Sequence, residues 1–499
     1  NPAGNSDNVL ISINPGVQFE YEYNIPADHP AGTFWYHPHR HGSTAIQVAS
    51  GMAGALLIKG DRAPTLDSNG DLDTLLRDTV ERVMLFQQIQ YYCNGDGSKA
   101  ADYQCDPGQT GKIEGYGGFG PGGWSDSGRF TSINGRVQPV IQAQMGQVER
   151  WRLIHAGVRD SINFSIRKAN TSLLAVQRST PQLLAAGAQS QVEQLCSGAK
   201  VPQQLVAADG LTLRDMQPTD MAVLQPGYRF DALTAFPEAG DYCVIDEAAV
   251  ASANVDRVGS SRQLLAIVRV SGQGKVDPGK HIHDFLVGAA KAIYSAPVAQ
   301  QVIGDINRGS LARFTAHAPI AAQEITGRQT LAFNNDVKAN PVSFQIDGKP
   351  YDPQRIDREL QLGAVEEWEL TSNLASHPFH IHVNPFEVVA VYDPNGKDVS
   401  VPGAIDDFDK CGPPDTQYAG LKGAFKDTMW VKSVTVKDNC SDTSGVSKSY
   451  KVLVRTRYQR YIGDFVLHCH ILDHEDQGMM QNVRIGLPDG AGGVSRGHH

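Results

Sequence analysis

Gly463-Asp-Phe-Val-Leu-His468-Cys469-His470 is one of three copies of a pattern in this chain. The other two are Gly32-Thr-Phe-Trp-Tyr-His37-Pro38-His39 and Gly240-Asp-Tyr-Cys-Val-Ile-Asp246-Glu247. Each is a glycine followed by aromatic and aliphatic residues, which reads as the same late strand of one repeated sandwich. A second pair of segments agrees. Ile133-Asn-Gly leads to Gly146-Gln-Val-Glu-Arg-Trp151, and Ile346-Asp-Gly leads to Gly363-Ala-Val-Glu-Glu-Trp368. Both read as strand, turn, strand, with the tryptophan in the core. The chain is therefore expected to be all-β, with three tandem β-sandwich domains at 1–75, 76–300 and 301–488 and a tail at 489–499. The first domain is short at its N-terminus. Asp67–Asp73 and Ser271–Gly279 read as connecting stretches, and Cys93–Ser127, with its glycine run, as a long loop insertion.

Composition supports this class. The 499 residues include 50 Gly and 27 Pro, as a turn-rich β chain requires, and no long heptad pattern occurs. A net charge of −10 offers no basic surface for nucleic acid. No apolar run reaches the roughly 18 residues of a membrane span. Of the seven cysteines, Cys469 belongs to the motif above, which leaves six for three disulfides. The expected pairs are Cys93–Cys105, Cys196–Cys243 and Cys411–Cys440. They imply an oxidising compartment, periplasmic or extracellular. Asn1-Pro-Ala-Gly is not a signal peptide, so any export signal would precede it. The final His498-His499 resembles the start of a purification tag and carries no chemistry.

The three copies differ where it matters chemically. Where the third has His-Cys-His, the first has His37-Pro38-His39 and the second Ile245-Asp246-Glu247. Metal ligands thus belong to the first and third copies. In a strand, residues two apart share a face about 6.6–7 Å apart. His468 and His470 therefore point one way and Cys469 the other. Two imidazoles can reach metal on one side while the thiolate binds a different ion behind them. Three His-x-His pairs stand out: His37/His39, His380/His382 and His468/His470, with His377 just upstream of the second. A thiolate, two imidazoles and a weak axial Met make up the blue-copper ligand set. Cys469, His474, His377 and Met479 fit it. The other six His suit a nitrogen-rich copper cluster.

Other residues of ligand type read more simply. His41 matches no partner and is a neighbouring or surface group. His281 and His283 have ligand spacing but sit in an expected linker without companion motifs. Met480 is packing, His29, His155 and His317 are lone structural histidines, and Asp246 and Glu247 are strand-end polar residues.

Trp35-Tyr-His-Pro-His-Arg-His-Gly, His377-Pro-Phe-His-Ile-His382 and His-Cys-His-x3-His-x4-Met at 468–479 resemble three of the four copper motifs of the multicopper oxidases, a family of laccases, bilirubin oxidases and cuprous or ferrous oxidases. The resemblance covers nearly the whole chain. It implies three cupredoxin-like Greek-key domains and four coppers. His377, Cys469, His474 and Met479 would hold type 1 copper. His37, His39, His382, His468 and His470 would hold the two type 3 coppers, and His380 the type 2 copper. The family pattern has eight cluster histidines, and six are present, so a further His-x-His-Gly is expected just before Asn1. By the same resemblance, electrons from a small reducing substrate pass from type 1 copper through Cys469 to His468 and His470. At the cluster O2 is reduced to water, with protons relayed by carboxylates: Glu475 first, Asp7 second. The axial Met implies a low-to-middle potential. Only eight scattered Met argue against cuprous-ion detoxification. A laccase-like oxidation of phenols by a monomer is the first expectation. Bilirubin or metal-ion oxidation comes next, and a non-catalytic copper-binding protein last.

Overall fold

The computed structural model describes residues 9, 11–120, 122–170, 172, 189–249, 255, 259–437, 439–440, 445–491 and 493–495. Asp7, His498 and His499 lie outside them. The chain forms two compact units. One comprises Asn1–His29, Pro38–Gln47 and His317–His499, the other Pro30–His37 and Val48–Ala316.

Each unit is built on two main sheets, and the smaller sheets match across the units strand for strand. In the second unit the smaller sheet runs Ala222–Leu224, Ile162–Lys168, Gly240–Asp246, Gln263–Ser271, Val140–Gln144. In the first it runs Thr428–Val431, His377–Ile381, Gly463–Cys469, Met480–Gly486, Arg358–Gln361. The last pairing is parallel in both, the others antiparallel. In the larger sheets, Val80–Ile89 runs parallel to Glu149–His155, and Gly327–Asp336 runs parallel to Val365–Ser372. The sandwich is thus repeated, as the paired sequence segments require. The chain is all-β and cupredoxin-like.

The tryptophans join the two layers. Trp151 is fully buried, with its ring 6.2 Å from Phe164 of the opposite sheet. Trp368 is its counterpart, 6.2 Å from Phe379. Each indole N–H finds an acceptor, Glu149 Oε2 at 2.9 Å or Tyr458 Oη at 3.0 Å, so neither buried donor is left unsatisfied.

All three late-strand copies start at their glycine: Gly32–Tyr36, Gly240–Asp246 and Gly463–Cys469. Gly240 and Gly463 enter with φ of +129° and +128°, a conformation that side chains oppose. Gly32 is needed for a different reason. A Cβ there would lie 1.8 Å from the Gly210 carbonyl oxygen. Gly32–Tyr36 pairs with Gly54–Ile58 in a two-stranded sheet.

All three expected disulfides form, Cys93–Cys105, Cys196–Cys243 and Cys411–Cys440. The stretch Ser271–Gly279 is not a simple connector. It runs into a helix, Pro278–Ile293, followed by a second, Ala296–Ile306. Asp277 caps the first by accepting from Lys280 N–H at 2.8 Å, with Pro278 in its first turn. Its Ile282, Leu286 and Ala290 recur every four residues and bury one stripe. His281 and His283 sit on this helix, not in a linker. His281 bonds the Gly146 carbonyl and His283 faces Asn307 Oδ1 at 3.0 Å. Asp67–Asp73 is also anchored, through Asn69 to Asp305 at 2.9 Å. No helix among the described residues is long and apolar enough to cross a membrane.

His155 is structural, as expected of a lone buried histidine. Its Nε2 donates to the Asp160 carbonyl at 2.7 Å, and its Nδ1 accepts from Gly157 N–H at 3.0 Å. Burial pushes its pKa down to about 4, against smaller opposing effects of its hydrogen bonds. The unfolded chain therefore takes up a proton below pH 6.5 that the folded chain refuses. Stability from this group is present above pH 6.5 and lost as pH falls toward 4, by about 3 kcal/mol in all. Urea unfolding at pH 7, 5.5 and 4.5 should show this slope reduced in a His155→Gln variant. An unchanged slope would remove His155 as its source.

Candidate metal centre

The site grows from one strand pairing. His377–Ile381 runs antiparallel to Gly463–Cys469 with Phe379 opposite Cys469 and His380 opposite His468. Alternation then divides the side chains. His380, His382, His468 and His470 take one face, His377 and Cys469 the other.

On the first face the imidazoles crowd together. The His380 ring lies 5.0 Å from His382, 5.3 Å from His468 and 5.4 Å from His470. His39, from the loop before the helix Thr44–Ala49, adds a fifth, 4.9 Å from His382 and 4.8 Å from His468. Ring nitrogens converge on His468 Nε2, with His39 Nε2 at 3.1 Å and His382 Nε2 at 3.3 Å. Ligand atoms of these three residues all lie within 4.8 Å of one another.

Hydrogen bonds orient the rings for metal. His468 Nδ1 lies 2.9 Å from the Cys469 carbonyl, and His380 Nδ1 lies 2.8 Å from the Asp427 carbonyl. A carbonyl can only accept, so each Nδ1 carries the proton and each Nε2 presents a lone pair. Burial holds the His468 pKa well below the usual histidine value, and the neighbouring His39, His380, His382 and His470 add to the effect. The ring stays neutral, as a ligand must. Glu475 closes this side. It is fully buried, with Oε1 3.4 Å from His39 Nδ1 and 3.5 Å from Thr44 Oγ1. Burial, reinforced by Asp476, pushes its carboxyl pKa well above the usual range, which favours the protonated form.

On the opposite face, Cys469 is buried and keeps its thiol, accepting at Sγ from Ile471 N–H at 3.4 Å. The His377 and His474 rings are 5.2 Å apart. His377 Nδ1 lies 2.8 Å from Ser372 Oγ. Phe344, half-buried, stacks on His474 with centroids 4.2 Å apart and planes at 20°. Met479 is fully buried, and its carbonyl accepts from Cys469 N–H at 3.0 Å. The thiolate, two imidazoles and thioether fit a blue-copper ligand set, and the nitrogen-only face fits imidazole-bound copper.

Within the first compact unit, ring contacts join His39, His380, His382, His468 and His470 into one cluster and His377 and His474 into a pair, while Cys469 and Met479 are buried in the same unit; His37 is not among them. That residue belongs to the other unit, where it stacks on Trp35 at 4.4 Å. His41 contacts Tyr351 at 4.6 Å between ring centroids, and burial lowers its pKa. Motif reading did not find Asp427, Thr428, Ser372, Phe344 or Asp476. These residues act through strand neighbours and loop contacts, which leave no local spacing signal. Only Asp476, beside Glu475, was within reach of a motif.

Two models of the multicopper oxidases match the chain, at residues 319–488 and 4–63. A multicopper oxidase of Staphylococcus aureus is 20% identical over 484 residues, covering 95% of this chain and 72% of the relative. A laccase of Bacillus subtilis is 22% identical over 483 residues, covering 95% and 74%. Among solved structures, a multicopper oxidase from Campylobacter jejuni, described as a metallo-oxidase, aligns with a TM-score of 0.56 at 20% identity, covering 93% of this chain and 74% of that one. McoA from Aquifex aeolicus aligns with a TM-score of 0.56 at 17% identity, covering 91% and 76%.

Cupric ion added to metal-free protein should raise its thermal midpoint, since ligand at about 100 times Kd adds about 2.7 kcal/mol. A His468→Ala variant should lose much of that gain. An equal gain in both proteins would remove His468 from the metal centre.

Proposed function

The chain belongs to the multicopper oxidase family, and we propose that it is a laccase-like oxidase, coupling one-electron oxidation of phenolic or similar small donors to reduction of O2 to water. The observation that carries this reading is the division of one strand pair into a thiolate face and an imidazole face. In it, His377, Cys469, His474 and Met479 hold type 1 copper. His39, His382, His468 and His470 serve type 3 copper, as His37 does by its motif, and His380 serves type 2. Copper, four per complete protein, supplies the one-electron redox chemistry and the site of O2 reduction. The reading keeps three cupredoxin-like domains, 1–75, 76–300 and 301–488, in a monomer. The three disulfides support a periplasmic or secreted location.

The side chains have distinct tasks. Cys469 shares a peptide bond with both His468 and His470, so the two donor sets are joined by a short covalent path. His468 and His380 are held with their lone pairs outward by backbone carbonyls. Glu475, whose raised pKa favours the protonated form, lies 3.4 Å from His39 and is placed to relay protons at this face. Phe344 lies flat on His474 and offers an aromatic face to an aromatic donor.

Copper content and oxygen uptake should be measured with phenols, bilirubin, Cu(I) and Fe(II) side by side. Several coppers per chain, an intense blue colour and phenol-dependent oxygen uptake are expected. One copper and no oxygen uptake with any donor would sink the oxidase reading in favour of copper binding or electron transfer. Cys469→Ser should lose the blue colour, and a variant that stays blue would refute the type 1 assignment. Glu475→Gln should lower turnover by about 100-fold while leaving the colour intact. Phe344→Ala should raise KM for phenols but not for ferrocyanide, a donor without an aromatic face. An equal change for both donors would remove Phe344 from substrate recognition.

A further inference from the structure

We propose that Asp476 is a positioning residue that clamps the His39 loop onto the turn that follows the His-Cys-His strand. The proposal rests on the reading of His39, His382 and His468 as metal ligands.

His39 lies in an irregular stretch ahead of the helix Thr44–Ala49. Fixing such a stretch costs backbone entropy at every residue. Its imidazole must still meet His468 Nε2 at 3.1 Å, across 429 residues of sequence. Sheet hydrogen bonds cannot supply that order, because the stretch belongs to no strand. Asp476 can. Its Oδ1 accepts from Gly42 N–H at 2.7 Å and from Thr44 N–H at 3.1 Å, and its Oδ2 accepts from Ala45 N–H at 2.7 Å. Amides at the start of a helix have no partner within it, and hydrogen bonds to a carboxylate are the strong kind. The carboxylate is itself only 6% exposed, so little water competes. Gly42 bends the loop toward it at a φ of +85° with open space around its Cα, so its role is conformational.

The other end of the clamp is equally tied down. Asp476 ends the short helix Leu472–Asp476, which carries His474 and Glu475. That helix is bracketed by Cys469 N–H on the Met479 carbonyl at 3.0 Å and by Met479 N–H on the His474 carbonyl at 2.9 Å. His39 is therefore referenced to the same backbone that places His468 and Cys469. His41, Glu475 and Asp476 also have ligand atoms within 4.8 Å of one another, the spacing of a cation site. Both Asp476 oxygens are already committed to amide donors, which favours the clamp over another ion.

Two variants and two readouts test this. In copper-free protein, Asp476→Ala should speed amide exchange at Gly42, Thr44 and Ala45 by roughly tenfold or more, with 463–469 unaffected. In copper-loaded protein it should keep the blue colour but lose at least half of the remaining copper. Asp476→Asn retains one carbonyl acceptor for Gly42 and Thr44 and should fall between Ala and the unsubstituted chain in both readouts. If Asp476→Ala does not fold, the Asn variant decides alone. Unchanged exchange at the three amides overturns the clamp, and so does loss of the blue colour in step with the other copper. An unsubstituted chain that binds only the blue copper would instead refute the cluster reading, while amide exchange would still decide the clamp.

Discussion

The antiparallel register of His377–Ile381 on Gly463–Cys469 is the constraint on which the metal centre depends. With His380 opposite His468, four imidazoles share one side and the thiol faces away with His377. A slip of one residue would turn one strand's side chains through the sheet and leave thiol and imidazoles mixed on both faces. The register is held by apolar packing beneath it. Phe379, opposite Cys469, lies 6.2 Å from Trp368 and 5.7 Å from Phe386. The layer that joins the two sheets is thus also the layer that sorts the ligands.

Much of this was legible in the residues. The repeated glycine-led strands and the two tryptophans mark equivalent places in the two sandwiches, and the strand orders agree with that assignment. The separation of Cys469 from His468 and His470 follows from alternation alone, which makes it the most secure inference available from sequence. That six cysteines remain for three disulfides was legible too, though counting alone does not choose among the roughly fifteen pairings. In each case the signal is periodic or a matter of counting, and tertiary packing does not alter it.

What escaped the sequence acts through loops and hydrogen bonds. The helix beginning at Pro278 carries both a cap and an apolar stripe, but the glycines before it and Pro278 itself read as a connector. Asp427, and Thr428 at the start of a neighbouring strand, orient His380 from 47 and 48 residues away. The His39 loop is ordered by a carboxylate more than 430 residues downstream. Contacts of that span have no spacing to read.

The second sandwich offers a comparison. Glu247 stands where the third copy has His470, and it is not idle. Its carboxylate receives Arg167 Nε at 2.6 Å, Arg262 Nε at 2.9 Å and the Ser165 hydroxyl at 2.7 Å. Beside it, Asp246 receives Arg129 at 3.0 Å and Asn163 N–H at 2.8 Å. The strand that elsewhere gathers lone pairs here gathers guanidinium groups. A cupric ion approaching it would meet fixed positive charge and carboxylates already engaged. In this copy the strand end is thus spent on ion pairs that tie it to its neighbours, so one position of the fold braces the sheet where its sibling presents imidazoles.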